Sequence, residues 1–370
     1  MFYLREYPGS EQIVMLNSMD DLPWFSQQDA DQLVRAFNNN HAVLLNGLQG
    51  IGKSYLALML ARALFADSTT AGNHLIDAGT HPDIHVLTSA YAYQHIDSQL
   101  KKFCFRYLGH EAIEKKRLSR QIGVDTIRAL VESMNQASSS GGCKLAIIYP
   151  VEHLNINAAN AILKFLEEPT SRTFLILISH DISRLTPTLR SRCMRINIVL
   201  QDNKPSVNWL KSIYPEKDKS EIIGALELAG FRPLIAAEYL SRNQQSLATE
   251  LEMDLAEIAV NHAVNLITIA RKWTQYKQTD FILSWICQYF TNLIKVKLLN
   301  SYEHDSLRKS QQLERISKSF SSASLFNTYD YLKSLKHGYD GIADETLLIE
   351  DVLQTIANNR TRKPLTTDHD

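Results

Sequence analysis

Two patterns of apolar and polar positions divide this chain. As far as Val199, short apolar runs recur between segments of helical spacing: 41–46, 84–87, 144–148, 174–179 and 194–199. Runs that are apolar throughout, rather than at alternate positions, predict strands covered on both faces, as in a parallel sheet. Between them, 28–37, 55–65, 125–134 and 157–168 carry the i, i+3, i+4 spacing of helices. Asp125 is the candidate N-cap of the third, and Pro169 stops the fourth. Residues 121–124 read as a strand end. Residues 66–80 form a polar stretch, and 138–142 read as a loop. Residues 90–120, with Lys115-Lys116-Arg117, read as a solvated surface insertion. Strands alternating with helices predict an α/β domain with a mostly parallel sheet.

Beyond Leu200 the strand signals fade. Two short helices, 220–229 and 233–241, flank Gly230. Longer helical patterns follow at 255–273, 281–300, 313–320 and 346–357. The expected organisation is therefore an α/β P-loop domain over 1–198, a small helical lid over 199–247, an all-α domain over 248–359 and a polar, disordered tail over 360–370.

Composition narrows the class. Hydrophobic residues make up 45% and charged residues 21%, the balance of a soluble globular protein. A net charge of -1 supplies no overall field for binding DNA through its phosphates. No apolar run reaches the length of a membrane span, and residues 1–6 lack a signal-peptide core. The cysteines, Cys104, Cys143, Cys193 and Cys287, are far apart, which excludes a C-x-x-C zinc knuckle and predicts buried thiols in a reducing cytoplasm.

The candidate chemistry begins at Gly47-Leu48-Gln49-Gly50-Ile51-Gly52-Lys53-Ser54, a full G-x-x-x-x-G-K-[ST] motif between a strand and a helix. Gly47, Gly50 and Gly52 let backbone N–H groups turn toward phosphate oxygens, and the helix N-terminus adds partial positive charge. Lys53 is placed for the β- and γ-phosphates and Ser54 for Mg²⁺. The alternative reading is a glycine turn that no longer binds nucleotide. Hydrolysis further needs an acid at the end of a neighbouring strand. There the chain has Tyr149 and Pro150, neither of which can hold a metal or orient water; Glu152 lies nearby but out of register.

Residues 157–169, NAANAILKFLEEP, and 185–193, LTPTLRSRC, resemble the N-A-L-L-K-x-L-E-E-P segment and L-x-P-T-[IL]-x-S-R-C box of AAA+ clamp-loader subunits. Residues 78–83, AGTHPD, the Leu22-Pro23-Trp24 opening and the Gly230-Phe231-Arg232-Pro233 segment are similar to the delta-prime branch of that family in bacterial DNA polymerase III. The likeness runs by motif over about residues 20 to 245, and by architecture alone beyond.

The resemblance implies a stator subunit that helps load the sliding clamp onto primed DNA in the cytoplasm, at the nucleoid-associated replisome. It implies gamma or tau and delta subunits as partners, and contact with clamp and primer–template DNA through the complex. Arg192 would be an arginine finger acting in a neighbour's ATP site, and Arg232 a sensor-2 contact to nucleotide. An ATP-hydrolysing gamma- or tau-like motor is the alternative; Tyr149 and Pro150 speak against it. ATP or ADP with Mg²⁺ would be bound without hydrolysis, and no protein metal site is expected. Many relatives carry a four-cysteine zinc module before the A-G-x-H-P-D segment; no cysteine stands there here, so no zinc is expected. Ser179 and His180 align with sensor 1, where a histidine is unusual.

Overall fold

A computed structural model describes residues 22–25, 33–36 and 40–361, apart from gaps at 66–69, 95, 97, 115–117, 140–141, 201, 262, 300–306 and 339–343. They form two compact units. One runs to Leu226 and adds Phe231–Ser241; the other holds Glu227–Gly230 and the chain from Arg242.

The first unit is built on a five-stranded parallel sheet of β1 (Ala42–Asn46), β2 (Ile84–Thr88), β3 (Lys144–Tyr149), β4 (Thr173–Ser179) and β5 (Met194–Asn197), in the order β2-β3-β4-β1-β5. The inner strands are buried almost throughout, as their uninterrupted apolar runs predict. Register aligns Asn46 with Ser179 and Ile148 with Leu177, so the ends of β1, β4 and β3 stand side by side at one sheet edge. Helices α1 (Lys53–Phe65), α2 (Thr70–Ala78), α3 (Ala90–Tyr93), α4 (Ser98–Leu108), α5 (His110–Glu114), α6 (Val124–Asn135), α7 (Ile156–Glu167) and α8 (Pro187–Ser191) connect the strands. Three more complete the unit: α9 (Lys204–Ile213), α10 (Lys219–Leu228) and α11 (Pro233–Ser241). One face of the sheet packs Leu44, Ile148 and Leu177 against Leu130 of α6 and Ile162 of α7.

Two expectations need correction here, and one element is added: within the polar stretch, residues 70–78 form α2. Residues 90–120 are not a solvated insertion. Leu100, Phe103 and Cys104, at i, i+3 and i+4, are buried where α4 packs on β2. The cations between them hide this helix by turning outward. Lys102 donates to the Asp77 carbonyl and Arg106 to the Pro82 carbonyl. Lys115, Lys116 and Arg117 lie outside the described residues. Gly123, not Asp125, caps α6; Asp125 sits in its first turn and pairs with Arg128 at 3.1 Å. Of the helix expected at 28–37, residues 33–36 are helical and the rest is outside the described residues.

The second unit contains α12 (Gln244–Val260), α13 (Leu266–Gln275), α14 (Thr279–Leu299), α15 (Leu307–Lys318), α16 (Ser322–Gly338) and α17 (Glu345–Asn358). The single helix expected at 255–273 is two. Asn261 closes α12, and the Asn265 side chain caps α13 by accepting from the Thr268 N–H. Helix α16 lies between the expected helices, and of its apolar residues Leu325 and Leu332, seven positions apart, are buried. Arg360 and Thr361 are not free tail. Arg360 donates to the carbonyls of Ile258 and Asn261, and the Thr361 N–H to the Ser319 carbonyl at 2.8 Å. Cys104 and Cys193 are buried, whereas Cys143 and Cys287 are only partly so. No helix among the described residues is long and apolar enough to cross a membrane.

Candidate functional site

The phosphate-loop segment leaves β1 at Asn46 and enters α1 at Lys53. Two glycines are dictated by close approaches. A Cβ on Gly47 would stand 2.5 Å from the Ile198 carbonyl oxygen, and Gly50, at φ 83°, would drive one into Ile235 of α11. The Gly50 carbonyl accepts the Leu234 N–H at 3.1 Å, so the first turn of α11 rests on the loop. On the other side Trp24 donates its indole N–H to the Ile51 carbonyl at 3.0 Å, and Trp209 packs edge-on against Trp24 at 5.0 Å. The Leu22-Pro23-Trp24 segment is thus the prop of the loop.

Lys53 is 3% exposed, and its Nζ donates to the Gly47 and Leu48 carbonyls, each at 2.6 Å. Burial lowers its pKa from 10.5 to about 7, and the Glu152 carboxylate opposes the shift. His180 lies beside it, its imidazole held well below the usual range by burial and by the charges of Lys53, His153 and Arg232. The charges of Lys53 and of the half-buried Arg232 are therefore both felt at His180, just past the end of β4. Arg232 is placed there because α10 ends in a turn: Phe231, at φ 57°, donates its N–H to the Leu226 carbonyl, and Pro233 then opens α11. The buried Lys53, the half-buried Arg232, a glycine-lined turn and the N-terminus of α1 are the kinds of group from which phosphate-binding turns are built.

At the end of β3, Tyr149 is 6% exposed and packs edge-on against the His180 ring at 5.2 Å. No carboxylate occupies that position or the next. A short 3-10 turn, Val151–His153, then folds the chain back. It delivers Glu152 to β4, where Oε1 accepts the His180 backbone N–H at 2.8 Å. Burial raises the Glu152 carboxyl above the ordinary glutamate value, opposed by its backbone hydrogen bonds. Counting along the strand placed Glu152 out of register; the turn after the strand brings it within the field of Lys53. Ser179 and His180 do stand beside the loop, as the alignment with sensor 1 implies.

The S-R-C box lies at the end of α8. Thr186 caps that helix by accepting the Leu189 N–H, and Pro187 opens it. Ser191 Oγ donates to the Thr188 carbonyl at 3.0 Å, while Cys193 is buried in the core beside the sheet. Burial pushes the Cys193 thiol up to about 12, so it is a packing group rather than a nucleophile. Arg192, between them, is one-third exposed and donates through Nε to Glu167 Oε1 at 2.7 Å.

A family model described as DNA polymerase III, delta subunit, matches residues 27–202. The delta-prime subunit of DNA polymerase III from Pseudomonas aeruginosa is 29% identical over 292 residues, 77% of this chain and 80% of that one. The chain belongs to the delta-prime family of DNA polymerase III subunits. The corresponding subunit of Haemophilus influenzae is 27% identical over 78% of this chain and 81% of its own. Among solved structures, a gamma subunit-related protein of Thermotoga maritima aligns over 89% of this chain and 99% of that one, at 15% identity and a TM-score of 0.41. With its parallel sheet and a glycine loop leading from β1 into α1, the first unit of this family member has the α/β architecture of a P-loop protein.

The delta-prime family motifs have local reasons in this fold. In the A-G-T-H-P-D segment, Asp83 accepts from the Ser138 hydroxyl at 3.0 Å and the Ser139 N–H at 2.9 Å, pinning the loop before β3. His81 accepts the Asp83 N–H and packs on Phe65. His85 takes hydrogen bonds from Tyr107 and Arg106, and burial with the Arg106 charge holds it at about 4. These histidines are structural. In the N-A-A-N-A-I-L-K segment, Asn155 caps α7 by accepting the Ala158 N–H at 2.8 Å.

Proposed function

We propose that this chain is the non-hydrolysing stator of a clamp loader. It assembles with gamma or tau and delta subunits, helps place the sliding clamp on primed DNA, and supplies Arg192 as an arginine finger to an adjoining ATP site. The observation that carries this reading is a pairing: β3 ends in Tyr149-Pro150, where a hydrolytic site needs a carboxylate, while the S-R-C box presents Arg192 on a capped and core-anchored helix end. Such a finger stabilises charge on the transferring phosphoryl group.

Glu152 is the one feature that favours a motor. Against it, the carboxylate stands not at the strand end but on the turn after it, where Oε1 is committed to the His180 N–H. The purified chain alone is expected to turn over no ATP above background in a coupled phosphate-release assay. Turnover at the rate of an AAA+ motor would overturn the stator reading.

The loop is proposed to hold ATP or ADP with Mg²⁺ unhydrolysed, and Lys53 sets the pH dependence. Its free pKa is near 7, and a neighbouring phosphate raises it. Binding then takes up a proton wherever the pH lies between the free and bound values. Affinity should therefore level off below about pH 7 and fall by up to ~10-fold per unit above it. A labelled-nucleotide titration from pH 6 to 9 reads this; constant affinity across that range would remove Lys53 from the site.

A further inference from the structure

The first acid of the Glu167-Glu168-Pro169 turn has a partner that its place in the sequence does not suggest. Glu167 is the last residue of α7, and Arg192 is the C-cap of α8. Twenty-five positions separate them. Glu167 Oε1 accepts from Arg192 Nε at 2.7 Å and also pairs with Nη2. Nη1 donates to the Thr188 carbonyl at 3.0 Å. A guanidinium gripped at Nε, Nη1 and Nη2 has its plane fixed, while the second hydrogens on Nη1 and Nη2 remain for another acceptor. The pair stays accessible: the Arg192 side chain is 33% exposed and that of Glu167 49%.

From this geometry we infer that Glu167 is the positioning residue for the finger. The inference rests on the proposed role of Arg192 and extends it. An arginine reaching across a subunit boundary loses most of its effect if its long side chain samples many rotamers. The carboxylate removes that freedom before the neighbour's phosphate arrives, the preorganisation on which electrostatic stabilisation of a transition state depends. The grip joins two helices packed into one core. Ile162 and Phe165 of α7, Leu189 of α8 and the adjoining Cys193 belong to the same buried cluster. The distance between carboxylate and guanidinium is therefore set by the sheet and not by a loop. Since the pair is half exposed, it adds little to stability, and its effect falls on the orientation of Arg192.

The test is steady-state ATP hydrolysis by the reconstituted complex in the presence of primed DNA and clamp. Glu167→Ala is expected to lower kcat by roughly 10-fold through lost orientation while KM for ATP stays within about twofold. Glu167→Gln keeps an acceptor for the Nε N–H and should recover most of the loss. Glu167→Ala added to Arg192→Ala should lower the rate no further than Arg192→Ala alone. The melting temperature of the isolated subunit should move by less than about 2 °C in Glu167→Ala. Full activity of Glu167→Ala beside an impaired Arg192→Ala would overturn the positioning role and leave the finger standing. A faster Glu167→Ala would overturn it too, marking the carboxylate as a brake. Unchanged turnover in Arg192→Ala would remove the finger and the inference together.

Discussion

Arg192→Ala is expected to cut DNA-stimulated ATP hydrolysis at the adjoining site by roughly 10³-fold or more, while the complex still assembles. The residue is a helix cap on the surface, with no buried partner to orphan, so its loss should leave the subunit's fold intact. In the proposed role, what disappears is a delocalised charge at the phosphoryl group being transferred. Arg192→Lys should recover only a small part, because an ammonium cannot satisfy Glu167 and the Thr188 carbonyl together while reaching a phosphate. Single-turnover hydrolysis in the assembled complex, with size-exclusion chromatography as the check on assembly, reads both outcomes. Turnover equal to the unaltered complex would count decisively against the finger.

The second large effect is on the helical unit. Trp273→Ala should destabilise it by about 3–5 kcal/mol, as removal of a fully buried tryptophan does. Trp273 is 0% exposed on α13, which packs against α17. Its indole N–H donates to Asp254 Oδ2 at 2.8 Å, and Lys272 holds the same carboxylate at 2.9 Å. The substitution therefore opens a cavity and strips one hydrogen bond from a charged group. In urea the midpoint should fall by roughly 1–3 M. Tyr276→Phe, which loses only an exposed bond to Glu250, is the control and should shift far less. A Trp273→Ala midpoint no lower than the control's would mean that the ring carries none of the packing assigned to it.

The sheet was legible because parallel strands are apolar on both faces. All five lie within a residue or two of the runs that announce them, and the loop-to-helix turn follows from its glycines. The S-R-C box was legible as a motif and Cys193 as a buried thiol, but the pairing of Arg192 with Glu167 was not, since nothing local points to it. Helix α4 was hidden because Lys101, Lys102 and Arg106 cover its buried stripe with charge, and those charges end on neighbouring backbone or rings. The split between α12 and α13 was hidden because helical spacing continues across Asn261 and Asn265, whose effect is to end and to cap. The partners of Glu152 and Glu167 were not legible for one reason: each acquires its partner only after the chain turns. Glu152 meets the β4 end through a 3-10 turn, and Glu167 meets Arg192 across twenty-five positions.

The anchoring of Cys193 has a consequence for how such a subunit can change over time. The thiol is packed among the same side chains that cover the sheet, and the helix before it is capped by Thr186. A mutation that loosens either group harms this chain's own folding before it harms any partner. The residues that keep Arg192 presented are therefore guarded by selection on the monomer, whatever becomes of the nucleotide loop. The proposed service of Arg192 to a neighbour would then persist whatever side chains stand at positions 149 and 150. The end of β3 and the Arg192 helix end can vary independently, because they rest on different parts of the same core.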